Sequence, residues 1–131
     1  MRGFALKLTF RSLALLSALV FFALALTWMF APNLMLSRWG VDFSYSAGLM
    51  ARRGAALYAG IGVMLFSARN AGPSPARSAL VTGFVVACLI LATLGVFELA
   101  TGHAGFGISV AVLIEITLTL ASLHVASANK K

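Results

Sequence analysis

Four long apolar stretches dominate the sequence, and the short segments between them hold most of its charged and helix-breaking residues. A helix rises 1.5 Å per residue, so about 20 apolar residues cross a hydrocarbon layer of about 30 Å. The stretches predict an all-α integral membrane protein, folded as one four-helix transmembrane domain over residues 1–131. The predicted spans are residues 12–31, 47–67, 78–100 and 108–126.

The first stretch also has features of a secretory signal peptide. A basic segment precedes it, and Ala23 and Ala25 satisfy a loose rule for a cleavage site. The apolar residues continue unbroken past that point as far as Ala31, where Pro32 follows. This continuity favours a transmembrane helix that stops at the proline.

The second span is interrupted by charge. Its charge-free part, residues 54–68, is too short to cross the hydrocarbon layer, so we expect the helix to begin near Ala47. That start places Arg52 and Arg53 inside the helix, about two turns from its beginning. There they must extend to the interface or find acceptors on neighbouring helices.

Three connections separate the spans. Residues 33–46 mix charged, aromatic and apolar side chains and predict an interfacial segment, with a short helix on the membrane surface as one form of it. Residues 69–77 hold two prolines, a glycine and a serine between two arginines, which predicts a loop. Residues 101–107 predict a tight turn. We find no internal repeat, so the duplicated architecture of larger transporters is unsupported.

Composition supports the membrane assignment and excludes other classes. Of the residues, 61% are hydrophobic and 10% are charged, against about 25% charged in ordinary soluble domains. The net charge of +7 would suggest nucleic acid in a soluble protein, but here the cations lie at the ends of apolar stretches. The single cysteine, Cys88, excludes a disulfide scaffold and a CxxC zinc site. We expect the lipid bilayer as a partner and no nucleic acid.

The distribution of cations predicts the orientation. Seven cations flank the side that holds both termini: Arg2, Lys7, Arg11, Arg69, Arg77, Lys130 and Lys131. Three flank the other side: Arg38, Arg52 and Arg53. Because cytoplasmic loops carry the excess of cations, both termini are predicted to be cytoplasmic in a multi-pass protein of the inner (plasma) membrane.

Small residues in the second span predict close helix packing. Two sets, spaced four residues apart, follow the small-xxx-small pattern that lets helix backbones approach. The residues expected to pack are Gly48, Ala55, Ala56, Ala59, Gly60 and Gly62. This helix is therefore predicted to be central, and the first helix, rich in Leu and Phe, to face lipid.

The candidate chemistry lies in the few polar residues of the spans. Two of the three acidic residues, Glu98 and Glu115, fall in predicted spans, where a carboxylate costs about 2.5–3.5 kcal/mol on insertion scales. In the predicted topology Arg52 and Arg53 lie at a depth similar to that of Glu98, so these side chains can reach one another, and Glu115 can face the same region from deeper down. Tyr58 could supply a hydroxyl at intermediate depth.

Helical spacing gives the fourth span one polar stripe, which should face the bundle interior. The stripe consists of Ala111, Glu115, Thr119 and Ser122. Three interpretations of the polar set stay open. It could be a structural ion-pair lock, an outward-facing pocket for a quinone or lipid-like ligand, or the site of a small proton-coupled carrier in which Glu115 alternates between protonated and paired states.

No grouping in the sequence predicts an enzyme. His103 and His124 fall at opposite sides of the membrane, so they cannot bind one metal within a subunit, and no Ser–His–Asp or Cys–His set emerges. We therefore expect no catalytic residue, no metal site and no cofactor apart from a possible quinone or lipid.

The order of motifs resembles a known group of proteins. An apolar span ending in a proline, LSRWGVD at 36–42 and ARRGAALYAGIGVMLFSAR at 51–69 precede two further spans, the last with an acidic residue. This order is similar to the small four-helix bacterial membrane proteins of the DoxX-like kind and related families of unknown function. The residues that carry the resemblance are chiefly Arg53, Gly54, Tyr58, Gly60 and Gly62.

The resemblance implies an accessory subunit of an oxidoreductase or quinone-linked membrane system. The small multidrug-resistance exporters, another four-helix family, place their essential glutamate in the first helix, whereas this first helix has no charge after Arg11. We therefore predict an accessory or structural membrane subunit, either a homo-oligomer or bound to other membrane proteins.

Overall fold

The computed structural model describes residues 8–128, and within them it contains five helices. They are α1 (Phe10–Phe30), α2 (Pro32–Arg38), α3 (Tyr45–Ser67), α4 (Pro75–Ala100) and α5 (Ile108–Ala128). All except α2 are long and apolar enough to cross a membrane, which confirms the predicted all-α protein with four transmembrane helices. Four cations used to predict the orientation, Arg2, Lys7, Lys130 and Lys131, lie outside the described residues.

Polar caps fix where three of the long helices begin. The side-chain oxygen of Thr9 accepts from the Ser12 N–H at 3.2 Å, and that of Ser44 accepts from the Ala47 N–H at 3.0 Å. Ser74 caps α4 in the same way, with Pro75 in the first turn, where its missing N–H costs nothing. The loop predicted over residues 69–77 is therefore shorter, because its last residues form the first turn of α4.

The predicted interfacial segment contains a short helix, α2. It follows α1 directly, with Pro32 at its start, and it ends in a turn at Trp39 and Gly40. Gly40 has a φ of +68°, in the left-handed region that favours glycine. The Val41 N–H then donates to the Leu36 carbonyl at 2.9 Å, which closes the turn.

The four spans are arranged as two helix pairs. Helix α1 packs extensively against α3, and α4 against α5, whereas the contacts of α1 with α5 and of α3 with α4 are much smaller. Of the most apolar part of each helix, 39% is buried in α1 and only 17% in α3. The expectations of a central second span and a lipid-facing first span are therefore wrong.

A stripe of small side chains in α1 explains its burial. Ala14, Ala18 and Ala25 recur at intervals of four and seven residues and are buried, while the bulky Leu19 and Leu26 point outward. Small residues on one helical face let another helix approach closely. The many leucines of α1 therefore do not mean that this helix lacks a packing face.

The small residues of α3 divide between two faces. Gly48, Ala55 and Gly62 are buried at seven-residue spacing, and a Cβ at Gly62 would lie 2.8 Å from the Phe22 ring of α1. Gly60 has no atom within 4 Å of its would-be Cβ. Two further residues were predicted to pack: Ala56 is exposed and Ala59 is half-buried. Within the described chain, Ala56 and Gly60 therefore lie outside the stripe of α3 that packs on α1.

One end of the bundle ties the two pairs together. Here, at what we call the α2 end, the Gly105 N–H of the α4–α5 turn donates to the Trp39 carbonyl at 2.6 Å. Gly107 lies so close to the Arg38 carbonyl that a Cβ would overlap it. The opposite end, which holds Thr9, the loop 68–74 and the end of α5, is called the loop end below.

We predict that Gly107→Ala destabilises the bundle by about 1–3 kcal/mol, because the added methyl must displace the Arg38 backbone. Gly60→Ala is the control without a close contact: it should not destabilise, and the higher helix propensity of alanine should stabilise α3 by about 0.5–1 kcal/mol. Reversible unfolding in mixed detergent micelles measures both. Equal stability of the two variants would show that the α2 end does not depend on this close approach.

Candidate functional site

Most hydroxyls inside the spans hydrogen-bond to their own helix. The side chains of Thr93, Thr117, Thr119 and Ser122 donate to the carbonyl four residues earlier, at 2.7–2.8 Å. Two buried side-chain oxygens among residues 8–128 have no partner: Oγ of Ser17 and Oε2 of Glu115. An unpartnered carboxyl oxygen in an apolar bundle marks a candidate site.

The structure places the polar stripe of α5 on the inward face of that helix. Thr119 and Ser122 are buried, and Ala111 and Glu115 are half-buried. The Thr119 hydroxyl donates to the Glu115 backbone carbonyl, not to its carboxyl group. Thr119 therefore lies beside the site without satisfying the carboxylate.

Two small cavities border the Glu115 carboxyl group. Their volumes are about 30 Å³ and about 170 Å³. Both are lined by Trp39, Tyr58, Leu91 and Glu115, and the larger one also by Glu98. We call these two cavities together the Glu115 pocket. Each of α3, α4 and α5, with the turn after α2, contributes a wall.

Aromatic contacts hold the walls of this pocket. The Tyr58 ring meets Phe21 of α1 edge-on, with ring centroids 5.5 Å apart. Trp39 meets Trp28 of α1 in a similar T-shaped contact at 4.9 Å. Phe21 and Trp28 both belong to the buried face of α1. Helix α1 therefore positions the pocket through these aromatic contacts, while the polar groups of the pocket come from other segments.

Within residues 8–128 the structure forms no ion pair between the candidate arginines and glutamates. Glu98 instead contacts a residue near it in the chain: its Oε2 lies 3.0 Å from His103 Nδ1, a hydrogen bond that becomes an ion pair only when the imidazole is protonated. Arg52 and Arg53 are exposed on α3, which has few contacts with α4 and packs mainly on α1. The turn after α4 brings His103 back to Glu98, so the nearer partner comes from the same segment of chain.

Shape and polarity determine what the pocket can hold. A dry cavity of about 150 Å³ accommodates benzene, whereas complete ligand sites usually exceed about 300 Å³. The larger cavity, at about 170 Å³, therefore fits one six-membered ring. Glu115 and Tyr58 could hydrogen-bond to substituents of that ring, while Trp39 and Leu91 contact its faces.

Of the residues singled out in the sequence, the structure brings Tyr58, Glu98 and Glu115 together along the larger cavity, and it adds Trp39, which the sequence analysis did not single out. The only signal was an aromatic residue in an interfacial segment, and its inward position depends on the turn that ends α2. The chain matches no protein-family model, and comparison with curated proteins and with solved structures finds no match. Its function is therefore inferred from the Glu115 pocket.

We predict that Glu115→Met stabilises the bundle by about 1–3 kcal/mol, because a side chain of similar shape replaces a buried oxygen that lacks a partner. Thr119→Val is the matched control: its hydroxyl already has an acceptor, so its removal should not stabilise. Reversible unfolding in mixed micelles gives both free energies. Destabilisation by Glu115→Met would mean that the carboxylate has a partner within the chain.

We predict that His103→Ala lowers stability by less than about 1 kcal/mol, because exposed ion pairs are weak. The side chain of His103 is 69% exposed and that of Glu98 is 39% exposed. A double-mutant cycle with Glu98→Gln isolates the pair from other contacts of either residue. A coupling energy well above that bound would give the pair a structural role at the α2 end.

Proposed function

We propose that this protein is a small integral membrane subunit whose Glu115 pocket binds the ring of an amphipathic, lipid-soluble ligand such as a quinone. One observation carries the proposal: Glu115 Oε2 is buried without a hydrogen-bond partner and borders a cavity of about 170 Å³. A buried oxygen without a partner costs about 1–3 kcal/mol. A ligand that donates or accepts a hydrogen bond there would recover that energy on binding.

The chemistry of the lining suits a ring with oxygen substituents. A protonated Glu115 can donate to a ring carbonyl, and an ionised one can accept from a ring hydroxyl. The Tyr58 hydroxyl can do either, from a different helix. Trp39 and Leu91 offer apolar contact to the ring itself, as in most small-molecule sites.

An apolar tail on the ligand has a route out of the bundle. Leu94 lines the larger cavity, and 53% of its surface is exposed on the lipid-facing side of α4. The ring alone fills a cavity of this size, so a tail would lie along α4 in the hydrocarbon layer. The site therefore favours a ligand that arrives from the membrane over one that arrives from water.

An accessory role accords with the DoxX-like resemblance, which implies a subunit of a quinone-linked system. Arg52, Ala56 and Gly60 lie four residues apart on α3 and are exposed. The two small residues of this set, Ala56 and Gly60, offer a face on which a second copy or another membrane protein could pack closely. With the termini in the cytoplasm of a cell's inner membrane, as the cations indicate, the Glu115 pocket would lie toward the outer side.

A proton-coupled carrier is the second candidate, and one observation favours it. Glu115 lies where the two helix pairs meet, and the direct contact between α3 and α4 is small. Such a junction could let one pair rock against the other while the carboxyl group loses or gains a proton.

We predict that wild-type protein, purified gently from its own membrane, retains a small lipid-soluble ligand in native mass spectrometry. Tyr58→Phe and Glu115→Met should lose it, because each keeps the approximate shape of the pocket and removes one polar group. Arg53→Gln is the matched control and should keep the ligand, since Arg53 is exposed and does not line the pocket.

Two outcomes would contradict ligand binding: wild-type protein that carries nothing small, or equal loss from the Arg53 control. Proteoliposomes separate the carrier from the binding subunit. Proton flux driven by a substrate gradient, lost in Glu115→Gln while the fold is kept, would favour the carrier. Retained ligand without flux would favour the accessory subunit.

A further inference from the structure

A second cavity lies at the loop end, away from the Glu115 pocket. It has a volume of about 300 Å³ and lies between the start of α1, the first turns of α4 and the end of α5. One side of the lining is polar, with Arg77, Ser78 and Thr82 from α4, and the other is apolar, with Phe10 and Val125. We call it the Arg77 pocket.

The Arg77 guanidinium is fixed in place but not saturated. Its Nη1 donates to the Ala71 carbonyl at 3.1 Å, and its Cζ lies 4.0 Å from the centroid of the Phe10 ring. An arginine has five N–H donors in a rigid fork that matches phosphate oxygens. The protein thus holds the cation half-buried at the cavity wall.

The loop end has cations and no acidic side chain of its own. The chain contains three acidic residues: Asp42 and Glu98 belong to the α2 end, and Glu115 lies within α5. Arg77 therefore has no carboxylate side chain in this part of the chain with which to pair. The remaining guanidinium N–H donors are therefore available to an anion that enters the cavity.

The position of the pocket identifies the class of anion. Helices α1 and α4 both begin their apolar spans here, so the pocket lies at the membrane boundary. Ser78 and Thr82 are four residues apart on α4 and share a face with hydroxyls that can donate to an oxyanion. A phospholipid headgroup is an anion that has polar contacts on one side and hydrocarbon on the other, so it matches this position.

We propose that the Arg77 pocket binds the phosphate of an anionic phospholipid. The Arg77 guanidinium contacts the phosphate oxygens, with Ser78 and Thr82 as further donors. The glycerol and the first acyl carbons lie against Phe10 and Val125. This site is independent of the Glu115 pocket and of the ligand proposed there.

The test measures how strongly the protein prefers phosphatidylglycerol over phosphatidylcholine in mixed nanodiscs, by native mass spectrometry of the released protein. Arg77→Gln should lower this preference at least about tenfold, because charge-assisted hydrogen bonds are lost. Arg69→Gln removes the same charge from the same end of the bundle. Arg69 stacks on Phe66 and does not line the pocket, so the preference should change less than about twofold.

A third variant separates binding from folding. Ala126→Leu keeps every cation and fills part of the cavity, so it should also lower the preference, while circular dichroism checks that each variant stays helical. Three results would overturn the proposal: no preference in the wild type, equal losses in the Arg77 and Arg69 variants, or displacement of the lipid by low inorganic phosphate, which would make free phosphate the occupant.

Discussion

A polar group enclosed in an apolar bundle must find a hydrogen-bond partner, and this requirement shapes the chemistry of the chain. The buried hydroxyls of α5 meet it locally, since Thr119 and Ser122 each donate to a carbonyl of the preceding turn. A carboxylate cannot do the same, because it only accepts and the N–H groups of a helix interior are already used. Ser17 Oγ and Glu115 Oε2 are the buried side-chain oxygens without a partner among residues 8–128, and Glu115 is the one that borders the pocket.

The two pockets place different polar groups at different depths. Glu115 is a carboxyl group among aromatic walls within the spans, whereas Arg77 is a guanidinium at the boundary, stacked on Phe10. Each pocket draws its walls from both helix pairs. The tie between Trp39 and Gly105 at the α2 end thus fixes the geometry of the Glu115 pocket directly, while the Arg77 pocket depends on how the pairs meet at the other end.

The spans could be predicted from the sequence because hydropathy and helix length are local properties, and cap residues such as Ser74 account for the small shifts at their ends. The packing of the helices could not be predicted in this way, because it depends on which face each helix presents to its neighbours. The small residues of α1 were hidden among its leucines, and the partner of Glu98 came from a turn rather than from α3. Trp39 entered the site through the turn that ends α2, which hydropathy does not encode.

The pairing of α1 with α3 and of α4 with α5 has a consequence for biogenesis. Each pair is a helical hairpin formed by consecutive spans, so its contacts are complete as soon as its second helix has been synthesised. The first hairpin can therefore assemble in the membrane while the ribosome is still making the second. Tyr58 is synthesised before Glu115, and Phe10 before Arg77, so each pocket lacks a wall until the later helices are made. Both pockets come into existence only when the later hairpin docks, so a nascent chain that stalls after α3 would be inserted and helical yet have nothing to bind with.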